Sequence, residues 1–373
     1  MKVWRRRFIW AALLVGVLLP GVSLGAAGPG EEVLLAAGGD VTLGYHLEEY
    51  LHERWGGWFL PEALAYPFAK IAHHFRQANI AFINLEGPLT SRGRKLSKRF
   101  NFRADPRSVA SLILVGISVA NLANNHVMDY GRIGLRDTIA ALDRAGIVSF
   151  GAGETMQQAR AGAVVERNGL RVGFLGYVYL GPASSEPRVI HASMGRPGGA
   201  GHPTSVETLR TMVAEDLARL KPLVDLFVVS FHWGREGSFY PEDDQRLLAR
   251  FTIDRGAHLV LGHHPHVLQG IEAYGGGIIA YSLGNLVFGG NWDPQDKDSI
   301  ILKVRLGRDG IRGVEIVPIR TTNPPHAYFQ PVELQGDEAA RVIRRLRVYS
   351  RGFPTVEALE AREAGAVPAV GRR

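Results

Sequence analysis

The feature that most constrains this chain is a repeated pattern: a short apolar run that stops on a polar residue able to bind a metal or move a proton. Residues 33–37 run into Gly38-Gly39-Asp40, and 80–84 into Glu86-Gly87-Pro88. Residues 117–122 run into Asn124-Asn125-His126, 225–230 into His232, and 258–261 into His263-His264-Pro265-His266. Runs of this length bounded by turn residues predict strands. Their lack of strict alternation predicts sheets covered on both faces. Ligands of open α/β sheets bind beyond the carboxyl ends of strands. Five such ends, far apart in the chain, predict one functional rim that only the fold can assemble.

Helices are predicted between the strands, over 61–78, 106–115, 134–145, 204–220, 241–255 and 338–348. Further strands fall at 163–167 and 170–178, joined by an Asn168-Gly169 turn, and at 278–283, 300–306 and 313–319. Residues 181–203, rich in Gly, Pro and Ser, read as a long surface loop. The order implies an α/β fold, a layered sandwich of mixed β-sheets flanked by helices.

Lys2, Arg5, Arg6 and Arg7 precede an apolar run over 8–19 that Pro20 stops, with small residues at 25–28. This is the order of a secretory signal peptide. Segment 1–27 is therefore expected to be a cleaved signal or an N-terminal anchor. The body, 28–355, is then exported: periplasmic, extracellular or held at the outer face of the cytoplasmic membrane. Residues 356–373 read as a loosely held tail. The net charge of +7 belongs largely to that leader, since without its four cations 39 basic groups face 36 acidic ones. That balance argues against a nucleic-acid partner. There is no cysteine, which excludes disulfides, zinc–thiolate sites and a cysteine nucleophile.

Pro265 fixes its own φ and disfavours helical geometry at His264. An extended segment would then turn His264 and His266 to one side and His263 to the other. His258, which opens that strand, reads as structural. Asp40 and Glu86 each sit beside glycine, where a turn residue is the plainer explanation. His232 reads equally as a core residue. Taken together the plainer explanations weaken. Asp40, Glu86, the Asn125 amide oxygen, His232, His264 and His266 make a mixed nitrogen–oxygen set. Such a set suits zinc, manganese or iron and is too rich in nitrogen for calcium. Six ligands can serve one or two divalent ions.

With these blocks in view, the chain resembles the CapA family of poly-γ-glutamate capsule synthesis proteins, which are similar to calcineurin-type metallophosphoesterases. The likeness rests on Gly39-Asp40-Val41, Asn84-Leu85-Glu86-Gly87-Pro88-Leu89, and Ala123-Asn124-Asn125-His126 with Asp129 and Gly131. It continues through His232-Trp233-Gly234 with Glu236, Gly262-His263-His264-Pro265-His266-Val267 and Tyr281-Ser282-Leu283-Gly284-Asn285. The resemblance implies a sandwich of two sheets. It implies Asp40, Glu86, Asn125, His232, His264 and His266 as metal ligands, with Glu86 bridging. His126 would be an acid or transition-state stabiliser, with Asp129, Glu236 and Asn285 around the ligands. Thr42 stands where the superfamily has a ligand histidine, so the first ion site is expected to be altered.

Three functions follow. The first is an exported CapA-like protein that makes, attaches or trims an acidic extracellular polymer beside a membrane-bound polymer synthase. The second is a metal-dependent phosphoesterase or other hydrolase of the envelope. The third is a non-catalytic polymer-binding scaffold, which would not need all six ligand-type residues. Arg92, Arg94, Lys95, Lys98, Arg99 and Arg103 form a basic stretch just after Glu86. Arg94, Lys98, Arg99 and Arg103 are the expected contacts to an anionic substrate, against the alternative of a solvated loop. Glu236, Glu242, Asp243 and Asp244 read as a helix start more readily than as a general base.

Overall fold

The structure is a computed structural model that describes residues 31–186 and 190–354. The signal or anchor at 1–27 and the tail at 356–373 lie outside the described residues. The first half contains β1 (Glu32–Thr42), α1 (His46–Trp55), α2 (Pro61–Ala65), α3 (Ala72–Arg76), β2 (Ile80–Leu85), α4 (Val109–Val115), β3 (Val119–Asn121), α5 (Gly131–Arg144) and β4 (Val148–Phe150). After β5 (Ala152–Gly153) and α6 (Met156–Ala159) come β6 (Ala163–Arg167), β7 (Leu170–Tyr179), β8 (Gly198–Gly199), α7 (Val206–Leu220), β9 (Leu226–Trp233) and α8 (Asp243–Asp254). The chain continues with β10 (Leu259–His263), β11 (Ile271–Tyr274), β12 (Gly277–Ala280), β13 (Asn285–Phe288), β14 (Asp298–Gly307), β15 (Gly310–Arg320), β16 (Val332–Glu333) and α9 (Gly336–Tyr349).

Two mixed sheets carry the fold. One runs β16-β15-β14-β1-β2-β3-β4, with β13 also paired to the end of β1, and the other runs β11-β12-β10-β9-β7-β6. Side chains alternate between the faces of each strand, and three apolar clusters record that alternation. Val33, Leu35, Ile80, Phe82 and Val119 of the first sheet meet Leu226, Val228, Leu259 and Leu261 of the second between the sheets. Ala36, Ala81 and Ile83 face α1 to α5 on the outer side of the first sheet. Phe227, Val229, Phe231 and Val260 face α7 and α8 on the outer side of the second. The layers are therefore helices, sheet, sheet, helices, as the sequence implied. Both faces of each sheet are covered, which is why the strand runs lack alternation.

The expected helix over 61–78 is broken. Residues Tyr66–Phe68 form a 3-10 turn between α2 and α3. Pro67 has no N–H to continue the α-helical ladder. The sequence did not disclose α1, β4, β11 or β13. The last of these matters most, because it pairs in parallel with the end of β1 and bears Asn285.

The basic helix α9 buries Ala339, Val342, Ile343 and Leu346. Its opposite face reaches β14: Arg341 donates to Asp298 at 2.6 and 2.7 Å, and Arg345 pairs with Asp296 and Asp298. Burial pushes the Asp298 carboxyl up, but the two guanidiniums outweigh it and hold the group below its usual range. A carboxyl with a depressed pKa stabilises the fold above its unfolded pKa and loses that contribution as the pH falls through its folded value. Asp298→Asn should therefore destabilise the protein by about 1–3 kcal/mol at pH 7. In denaturant melts the gap from the parent should narrow as the pH drops below about 4.

Candidate metal centre

The strand pattern that builds the apolar layer also ends it. On β2, Ile80 and Phe82 face the space between the sheets, and the same alternation carries Asn84 and then Glu86 to that side. On β9, Leu226 and Val228 are followed by Ser230 and His232. On β10, Leu259 and Leu261 are followed by His263, and on β3 Val119 is followed by Asn121. The register of β1 against β2 shifts between Ala37 and Asp40. Before the shift, odd-numbered residues face the second sheet; after it, Val41 faces the helices. The irregularity thus re-aims Asp40 into the same layer. Gly39 permits this, because a Cβ there would fall 1.9 Å from the Gly284 carbonyl oxygen.

Asp40, Glu86, Asn84, Asn121, His232 and His263 are all buried. Asn84 Nδ2 donates to Asp40 Oδ1 at 2.8 Å and lies 3.3 Å from His232 Nδ1. Asn121 donates to Asn84 at 3.0 Å, and Asn124 donates to the Leu85 carbonyl at 2.8 Å. These amides bind one another and hold the acids in place. Thr42, at the position of the missing histidine, donates to the Glu86 carbonyl at 2.7 Å.

Glu86 itself has no such support. Both of its carboxylate oxygens are buried without a hydrogen-bond donor. Around Oε1 stand His126 Nε2 at 3.7 Å, His266 Nε2 at 3.7 Å and His232 Nε2 at 3.9 Å. Those distances are too long for hydrogen bonds. They match two donors on one ion, since bonds of about 2.0–2.2 Å set neighbouring ligand atoms roughly 3–4 Å apart. Asp40, Glu86 and His232 offer ligand atoms within 4.8 Å of one another, and Glu236, His264 and His266 form a second such set. Asn125 Oδ1 lies 2.8 Å from His232 Nε2. The residues present therefore fit one or two divalent ions.

In the metal-free centre the proton states of Asp40, His232 and His264 suit that use, while Glu86 and His266 hold protons that an ion would have to displace. Burial drives the Glu86 carboxyl well above its usual range. It pushes Asp40 up too, but His263 and His266 outweigh it and hold Asp40 well below. Burial, with His264 beside it, keeps His232 well below the usual imidazole value, and burial takes His264 down to about 3. Neutral imidazoles are what a metal requires. Burial opposes a charge on His266, yet the Glu86 and Asp40 carboxylates raise that group to about 10.

The histidine loop differs from the extended segment expected. His264 and His266 have φ of +94° and +57°. Left-handed backbone is unusual for residues with side chains, and it gathers at functional sites. His264 and His266 thus converge through two turned residues flanking Pro265 rather than through strand alternation. Nor does His263 point away: its Nδ1 lies 3.2 Å from Asp40 Oδ1. His258, by contrast, accepts from the Phe227 amide at 3.1 Å, a structural contact.

His126 stands at the edge of the cluster. Its Nδ1 lies 2.6 Å from Asp129 Oδ2, and Phe102 stacks on its ring at 4.0 Å. Since a carboxylate only accepts, Nδ1 carries the proton. Burial holds the ring pKa down, so Nε2 is left bare. Asn285 Oδ1 lies 2.9 Å from His266 Nδ1 and orients that ring. His126, Glu236, His266 and Asn285 all line a cavity of about 690 Å³, walled by Phe100, Phe102 and Phe288.

Comparison with known proteins bears on this centre. The model of the bacterial capsule synthesis protein family PGA_cap matches residues 34–290, which include every ligand candidate above. The chain belongs to this family. It is 32% identical to the capsule biosynthesis protein CapA of Bacillus anthracis over 78% of this chain and 67% of that one. It is 30% identical to the PGA biosynthesis protein CapA of Bacillus subtilis over 83% and 76%. A probable polyglutamine synthesis accessory protein of Mycobacterium tuberculosis, Rv0574c, is 34% identical over 56% and 55%. CapA-family membership accords with the resemblance read from the motifs.

Of the expected substrate contacts in this PGA_cap protein, Arg94, Arg99 and Arg103 are exposed. Arg99 lies over the Phe100 ring at 4.9 Å, at the wall of the cavity, and Arg103 over Tyr130 at 4.6 Å. Lys98 differs from them. Its side chain is 5% exposed and faces Asp129 rather than solvent. Glu236 is nearer than an outer position, within ligand reach of His264 and His266. Asn84 and His263 were not among the expected site residues. Strand alternation would have found both, back from Glu86 to Asn84 and on from Leu259 and Leu261 to His263.

A buried carboxylate without partners destabilises the metal-free fold. Glu86→Gln should therefore raise the melting temperature of chelator-treated protein. The same variant should lose the upward shift that added zinc or manganese gives the parent. Melts with and without metal check both signs.

Proposed function

We propose that this protein acts in capsule-type polymer biosynthesis as a metal-dependent hydrolase on an acidic extracellular polymer. The observation that carries the hydrolase reading is the buried Glu86 carboxylate, without a donor and ringed by three imidazoles. The polymer class is supported by the relatives, two named for capsule or PGA biosynthesis and one as accessory to polyglutamine synthesis. That accessory description supports an association with polymer synthesis, and the partner proposed for it is a membrane-bound polymer synthase. Work outside the cytoplasmic membrane is supported by the basic, apolar, small-residue order of 1–27. Among the described residues no helix is long and apolar enough to cross a membrane.

Asp40, Glu86, Asn125 and His232 would hold one ion, and His264, His266 and Glu236 a second beside it. Zinc, manganese and iron all suit this donor set. A divalent ion here supplies Lewis acidity to a carbonyl or phosphoryl oxygen and acidifies water. The protein's own groups do the rest. Asn84 and Asn285 fix the directions of Asp40 and His266. Asp129 orients His126, whose bare Nε2 faces the cavity and can take up a proton and return it. The three phenylalanines wall the cavity and restrict water. Arg99 and Arg103, with Arg94, would receive the charges of the polymer.

A second reading is a phosphoesterase. It is favoured by the two adjacent ligand sets, which suit the attacking and leaving oxygens of an in-line displacement. A scaffold would leave the complete donor sets without a purpose.

Purified protein should hydrolyse γ-glutamyl polymer or a chromogenic phosphodiester only with divalent metal, and the preferred substrate separates the two readings. His126→Ala should lower kcat about 10²–10⁴-fold while bound metal, measured by elemental mass spectrometry, stays at the parent level. Metal binding with no hydrolysis of either substrate would sink both hydrolase readings in favour of a scaffold.

A further inference from the structure

Lys98 is the one member of the basic stretch drawn into the interior. Its ammonium lies 2.8 Å from Asp129 Oδ1 and 3.1 Å from Glu186 Oε2, and it donates to the Asn125 carbonyl at 2.8 Å. Three oxygens at these distances match the three N–H groups of an ammonium, so none is left over for substrate. Lys98 is also absent from the lining of the 690 Å³ cavity, which His126 borders. The ammonium stands on the Nδ1 side of His126, 3.4 Å from that nitrogen.

Each partner of Lys98 touches the centre. The fully buried Asp129 uses Oδ2 for both the Phe102 amide and His126 Nδ1, each at 2.6 Å. Its Oδ1 has no hydrogen-bond donor but the ammonium beside it. Glu186 Oε1 accepts from Asn125 Nδ2 at 3.3 Å, which turns the Asn125 Oδ1 towards His232. Without the ammonium, Asp129 would keep an unpaired buried oxygen and Glu186 would lose its anchor. Both would relax, and His126 and Asn125 with them.

We propose that Lys98 is a positioning residue: through Asp129 it fixes the ring of His126, and through Glu186 and the Asn125 backbone it fixes the Asn125 amide. This rests on the hydrolase reading only for its catalytic consequence. The positioning itself is a property of the folded chain. It separates Lys98 in kind from Arg94, Arg99 and Arg103, which face solvent.

The test uses chelator-treated protein with ¹⁵N-labelled histidine. The His126 ring N–H, identified by its loss in His126→Gln, should give a protected imidazole proton signal in the parent. Lys98→Met should lose or broaden that signal, and Lys98→Arg should keep it. A folded Lys98→Met with the parent's signal overturns the proposal. If Lys98→Met does not fold, Lys98→Met/Asp129→Asn removes both charges; it should fold with the signal lost, and retention of the signal again overturns the proposal. With a substrate in hand and metal at saturation, Lys98→Met should lower kcat about 10–100-fold at unchanged KM. A rise in KM alone would make Lys98 a substrate contact instead. Should the parent turn over neither polymer nor phosphodiester, the hydrolase reading fails, while the ring signal still decides the role of Lys98.

Discussion

Everything at the centre depends on two carboxylates held where water cannot reach them. Asp40 and Glu86 are fully buried at the ends of parallel neighbours β1 and β2. Burying a charge without compensation is among the largest penalties a fold can carry. The protein meets it unequally. Asp40 receives Asn84, the His264 amide, His263 and His266. Glu86 receives no donor, only imidazole nitrogens at distances a cation would span. The asymmetry explains why the surroundings are so rich in neutral histidine and amide.

The two sheets make this arrangement rigid. Their facing sides are apolar for most of their length and become polar at one end, strand by strand, without a change in alternation. The exception is β1, where a register shift turns Asp40 inward. The centre therefore grows out of the core rather than sitting on a surface loop. The left-handed histidine loop adds a piece that alternation cannot supply. Its strain is tolerated because β10 leads into it and β13, paired to the end of β1, presents Asn285 to His266.

Much of this was legible in the sequence. Apolar runs that stop on Asp40, Glu86, Asn125-His126, His232 and the 263–266 cluster mark strand ends, and strand ends of an α/β fold face a common rim. The crowd of amides at 121–125 signalled groups needing partners, and Asn84, Leu85 and His232 are those partners. What misled was local geometry. Reading 264–266 as extended placed His263 away from the site, although alternation along β10 through Leu259 and Leu261 carries it inward. A basic run suggested contacts to an anionic substrate, although one lysine in it turns inward to meet Asp129. Pro67 broke a helix whose apolar spacing read as continuous.

The sequence by itself determined the layered α/β class, the family and the chemical character of the donors, because these depend on residue type and order along the chain. The tertiary structure alone decided which donors meet. It set Glu236 beside His264, sent Lys98 to the Nδ1 side of His126 and left Glu86 without a partner. Those facts depend on distances between segments far apart in the chain, and such distances are set by the packing of two sheets face to face, which no local pattern encodes.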